Sequence, residues 1–236
     1  MIVSIAAVTV LGLATCLGLS DAEKRFNSGT ELMDEGRYEE AIAEFDLALF
    51  SDGSVAAAFH NRALAEQRTD SLSSAIKDYI GSIELNPELA LAYQNRASAY
   101  LDPGDRQSAL ADFEKAVSLD PTSVPAWYNL GVVHEDLGEL GKAVENYGQA
   151  IILQRDNIDA LTNRALVYSK LGEHASAIED MDRVVEIDPT YAKAYLVGAS
   201  AHAKLGLTPR PGSRPWHRPS QGGIEHRRYL PFPLSV

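Results

Sequence analysis

An asparagine returns every 34 residues along this chain, at Asn27, Asn61, Asn95, Asn129 and Asn163. The segments around them, RFNSG, FHNRA, YQNRA, WYNLG and LTNRA, align without an insertion or deletion. They divide the chain into units 22–55, 56–89, 90–123, 124–157 and 158–191. A fixed period of this length constrains the fold more than any local propensity, because it marks one supersecondary unit stacked on copies of itself. Asparagine is a mediocre helix former, since its side chain competes for nearby backbone hydrogen bonds. Five equivalent copies inside helical segments speak against a catalytic role for any one of them.

Each unit reads as two helices. Position 8 is always small (Gly29, Ala63, Ala97, Gly131, Ala165), and position 20 is always alanine (Ala41, Ala75, Ala109, Ala143, Ala177). Position 24 carries the large filler, Phe45, Tyr79, Phe113, Tyr147 or Met181. Small residues opposite a bulky one let two helices approach closely and fill the space between them. Gly36, Gly104, Gly138 and Gly172 at position 15 supply the left-handed residue that ends the first helix, with Asp70 as the exception. Pro87, Pro121 and Pro189 stop the second helix, with Gly53 and Arg155 in the other two places.

This pattern, W-x2-L-G-x2-Y followed by A-x3-F, A and P, resembles that of the tetratricopeptide repeat family. AWYNLGVVHEDLGELGKAVENYGQA (126–150) is the nearest match, with His134 in the usual tyrosine place. The resemblance covers 22–206 and implies an all-α fold, a right-handed superhelical solenoid of antiparallel helix pairs whose first helices line a concave groove. Five repeats are complete. A partial sixth, 192–206, begins with AKAYLVGASAHAKLG and then breaks off, with Pro211 and Pro215 where alanine and an aromatic are expected. It is either the cap a solenoid needs or the mark of a frameshift or gene-model error.

The resemblance further implies that Asn27, Asn61, Asn95, Asn129 and Asn163 face the groove, along with Phe26, His60 and Tyr128. A carboxamide both accepts and donates, which suits the C=O and N–H of an extended peptide. A similar asparagine row grips peptide backbone in the O-linked N-acetylglucosamine transferases, and the likeness extends only to these five residues. The alternative is that each asparagine bonds to the neighbouring helix. Charged residues at lining positions, Glu23, Asp34, Asp102, Glu135, Asp136 and Asp159 against Arg68 and Lys170, make the groove mildly acidic. The clamp of cochaperone repeats for acidic carboxy-termini does not fit. Asn163 and Lys193 match it, but Tyr128, Val132 and Val197 stand in its other three places.

The two ends differ from the repeats. Segment 1–20 contains the uncharged run Ile2–Leu19, which reads as a signal or anchor and offers membrane attachment through residues 2–19. LATC places Cys16 as a possible lipidation site, while a retained anchor or a buried start stays open. Segment 207–236 holds six of eleven prolines and five arginines against one glutamate, and is expected to be a disordered basic tail. Residues 1–206 therefore hold 16 basic against 32 acidic side chains, which excludes nucleic acid as the main ligand.

A single cysteine excludes a disulfide framework. No zinc-protease, phosphate-loop, dinucleotide or serine-hydrolase motif is present, so no catalytic residue, cofactor or metal is expected. The histidines read as packed or solvated. Arg62, Arg96 and Arg164 are expected to lay their stems across the preceding helix. The function implied is a non-catalytic scaffold for a protein or peptide partner, membrane-anchored or exported, with a cytoplasmic place still open. The alternative is the targeting half of an enzyme whose catalytic domain is lost after residue 206.

Overall fold

The computed structural model describes residues 19–102 and 104–207. The expectations for residues 2–18, Cys16 and the segment from 208 onward lie outside the described residues. Among those described, every regular element is a helix: α1 (Asp21–Asp34), α2 (Tyr38–Ser51), α3 (Ala56–Arg68), α4 (Leu72–Leu85), α5 (Ala90–Leu101), α6 (Arg106–Leu119), α7 (Val124–Asp136), α8 (Leu140–Leu153), α9 (Ile158–Leu171), α10 (His174–Ile187) and α11 (Ala192–Lys204). The chain divides into two compact units between Ala160 and Leu161, within α9.

In the first unit α1 pairs with α2, α3 with α4, α5 with α6 and α7 with α8, and each pair packs on the next. The repeat positions explain the pairing. Phe45, Tyr79, Phe113 and Tyr147 are fully buried, as are the alanines at position 20. Each such aromatic contributes about 2 to 3 kcal/mol by leaving water. The small residue at position 8 is required by contact. A Cβ on Gly29 would stand 2.6 Å from Cε1 of Phe45, and one on Gly131 would stand 2.7 Å from Cδ1 of Tyr147. Core clusters run across the unit boundaries: Phe113, Ala116 and Val117 pack with Ala126, Leu130 and Val133. No pair therefore buries its apolar face alone.

The helix ends follow the sequence. Ser20 caps α1 in a reciprocal box, accepting from the Glu23 amide while Glu23 Oε2 accepts from the Ser20 amide. Asp105 and Ser123 cap α6 and α7. Gly36, Gly104 and Gly138 all have positive φ, and Asp70 takes the same left-handed conformation at φ 57°. Asp70 thus serves the turn at a steric cost that glycine would not incur.

The second unit holds the rest of α9 with α10 and α11. Ala165, Ala177, Met181 and Val184 are buried, and α10 packs on α11. Gly172 makes the turn between α9 and α10 with φ 81°. The partial sixth repeat is the single helix α11, in which Ala194, Gly198 and Ala201 are buried and Leu196 is exposed.

Candidate peptide-binding face

Within the first unit α1 touches α3 and α3 touches α5, while no comparable contact joins α2 to α4 or α4 to α6 among the described residues. In the first three repeats the first helices are thus the closer-spaced side, which makes theirs the inner face there, while α5 and α7 share no comparable contact. The asparagines occur once per first helix at one register, but their surroundings differ. Asn27 is exposed, and Asn95 and Asn129 are partly exposed. Asn163, in the second unit, is also partly exposed. Asn61 is only 2% exposed, and its Oδ1 is buried without a hydrogen-bond partner.

Asn95 makes a contact with the neighbouring helix: its Nδ2 donates to Nε2 of His60 at 3.4 Å. That bond requires the imidazole proton on Nδ1, which has no partner. Its carbonyl oxygen is not used by this contact.

Three residues expected on the groove are packed inside. His60 has no exposed surface and lies edge-on to Tyr79, with ring centroids 5.6 Å apart. Burial lowers its pKa to about 4, so it is a neutral core histidine. Phe26 is buried against Phe45, although it also forms part of a pocket with Leu19, Ala22, Asn27 and Val55. Asn61 is the third. For His60 and Asn61 the cause is the place of α3, which has a first helix, α1 or α5, on each side. Tyr128 stays partly exposed, its ring 5.7 Å from that of Tyr147.

The arginines after the asparagines are also placed differently from the expectation. Their guanidinium groups, and not merely their stems, reach the second helix of the same repeat. Arg96 donates from Nε and Nη2 to the two carboxylate oxygens of Asp112, both at 2.7 Å. Arg164 holds Asp180 in the same way at 2.8 and 2.6 Å, and Arg62 holds Asp78 while also reaching Asp46. The planar fork of Arg matches a carboxylate in two bonds. Aromatic faces cover the other side, Phe59 for Arg62, Tyr93 and Tyr100 for Arg96, and Tyr168 for Arg164. The fourth repeat replaces the pair by Leu130 and Asn146, both buried. The signal was present in the sequence: Asp recurs 16 residues after each of these arginines and is absent where the arginine is absent.

Sequence reasoning also passed over Glu66. It occupies the place where other repeats carry Tyr100, His134 or Tyr168, and its Oε2 is buried without a partner. Burial first, then the charges of Asp78 and Asp46, pushes its carboxyl up to about 7 against the opposing pull of Arg62. The adjacent acids of α7 are engaged: Glu135 accepts from the Tyr147 hydroxyl and Asp136 pairs with Arg106. Among the described residues no group of three or more His, Cys, Asp or Glu is arranged to hold a metal ion. Among the same residues no helix is long and apolar enough to cross a membrane.

Stacked helix pairs of constant length and register define an α-helical repeat protein. The TPR repeat family matches residues 97–138 and 136–172, and the Tetratricopeptide repeat family matches 158–191. Among solved structures, the crystal structure of MamA is 28% identical with a TM-score of 0.59, covering 61% of this chain and 85% of its own. YrrB, described as a TPR protein with an unusual peptide-binding site, has a TM-score of 0.67 at 20% identity, over 75% of this chain and 92% of its own. PilF of Pseudomonas aeruginosa has a TM-score of 0.68 at 19% identity, over 79% and 85%. No curated protein matches the chain significantly. Residues 97–191 thus match tetratricopeptide repeats, and the helix pairs formed by the units in phase are those of the tetratricopeptide fold.

Proposed function

We propose that this chain is a non-catalytic interaction scaffold that takes an extended peptide or partner segment along its first helices, at a membrane or outside the cytoplasm. The observation that carries this reading is the set of accessible carboxamides Asn27, Asn95 and Asn129, at one register on the first helices of the first, third and fourth repeats. First helices roughly 9 Å apart and a ligand advancing about 3.3 Å per residue set about three ligand residues per repeat. Each carboxamide then meets a main-chain group in the same phase. The peptide-binding description of YrrB supports the use of this fold for such a ligand. The exposed acids Asp34 and Asp102 against Arg68 favour a segment that carries basic residues. Membrane attachment through residues 2–19 rests on their uncharged sequence.

Selection of peptides from a displayed random library by the full chain tests this. Enrichment of an extended motif with basic residues, competed by one synthetic copy of it, is expected. A library that stays unenriched, or binders that protect only second helices from hydrogen exchange, would refute it.

A further inference from the structure

Phe50 is 92% exposed, the most exposed of the large apolar side chains among the described residues. It sits in the last turn of α2, and because α1 and α2 are antiparallel that turn lies beside the first turn of α1. Asp21, Lys24 and Arg25 of α1 line the same depression as Glu44, Leu47 and Phe50 of α2. Its charges are satisfied internally, Lys24 by Asp21 at 3.1 Å and Arg25 by Glu44 at 3.0 Å. Beside these paired but solvent-facing charges the end of the first repeat offers Phe50 and Leu47, the latter 44% exposed, while Leu19, equally exposed, lines a neighbouring depression with Ala22 and Val55. The repeat does not demand an apolar residue there, since the next two units have Glu84 and Ser118 at the place of Phe50.

This patch lies where the uncharged run Ile2–Leu19 enters the fold. Ser20 follows the run directly and is already fixed as the α1 cap. From Cys16, four residues of chain span at most about 14 Å, so attachment to a bilayer at Cys16 or through the end of the run brings this end of the repeat to the lipid surface. We propose that Phe50, Leu47 and Leu19 seat in the bilayer interface, so that the first helix pair rests on the membrane and the inner face extends away from it. The occupant is lipid rather than a second copy of the chain. An aromatic at the headgroup boundary is a favoured arrangement, and the neutral rim makes the contact independent of anionic lipid. The proposal rests on the membrane attachment put forward above.

Photo-crosslinking tests it in the full chain with Cys16 intact. The analogue p-benzoylphenylalanine is placed at position 50 and, as a control, at Ile152, which holds the equivalent place in the fourth repeat and is also exposed. Membrane fractions are irradiated and adducts read by mass spectrometry. A several-fold excess of phospholipid adducts at position 50 over position 152 is expected. Adducts to a second copy or to another segment of the chain would overturn the proposal, as would equal lipid labelling at both positions in chain that sediments with membranes. Chain found only in the soluble fraction would instead refute the attachment, and the interfacial contact with it.

Discussion

Replacing both members of the Arg96 and Asp112 pair together is expected to cost far less stability than replacing either one. Their side chains are 16% and 9% exposed, so removing one partner leaves the other charge largely out of water. Breaking a fully buried pair costs about 3 to 5 kcal/mol. Residual water at Arg96 lowers the cost here to about 2 to 3 kcal/mol for Arg96→Leu or Asp112→Asn alone. The double variant places in the third repeat the combination Leu130 and Asn146 that the fourth repeat buries at the same positions. It is expected within about 1 kcal/mol of the parent, a coupling energy of about 3 kcal/mol or more. Urea titrations of the four proteins by circular dichroism, with amide exchange in α5 and α6 to localise the change, measure the cycle. A double variant that loses the sum of the two single losses would refute the reasoning.

Gly131→Ala forces a Cβ against the Tyr147 ring and is expected to cost about 1 to 3 kcal/mol, read as a lower thermal midpoint. An unchanged midpoint would show that the contact yields freely. For Glu66 the folded pKa of about 7 lies above its ordinary 4.5, so its stabilising contribution is complete below the ordinary value and is lost as pH rises through about 7. Glu66→Gln should therefore gain stability relative to the parent between about pH 5 and pH 8, by about 1 to 2 kcal/mol after discounting for its exposed part. Parallel pH–stability curves would contradict this. For His60 the shift is downward, to about 4 from 6.5, so its contribution is present above 6.5 and lost as pH falls toward 4. A His60→Leu variant should lose less stability than the parent across that acid range in the same titration.

The parts of the fold that were legible in the sequence are those set by size at a fixed register. Gly131 opposite Tyr147 and Gly29 opposite Phe45 could be read because a helix–helix contact admits one large side chain only if its partner is small. The turn glycines were legible for a similar reason, and Asp70 held the same left-handed backbone. Register alone does not say where a long side chain turns: it predicts the stem of Arg96 across a neighbouring helix and not its fork on Asp112. Nor does it say how deeply a position is covered. Asn27 and Asn61 share a register, yet one is exposed and the other enclosed, because α3 has a neighbouring first helix on each side and α1 has only α3. His60 and Phe50 lie beyond the repeat consensus altogether, and their burial and exposure follow from neighbours the period does not specify.

The central claim is that the accessible asparagines of the first helices hold a peptide main chain. The direct measurement is the affinity of a selected peptide for the parent and for the double variant Asn95→Ala with Asn129→Ala, by calorimetry, with helicity checked in both. Losing about two net hydrogen bonds per peptide should cost about 2 kcal/mol, a weakening of roughly thirtyfold, with helicity unchanged. Equal affinity in the two proteins would contradict the account.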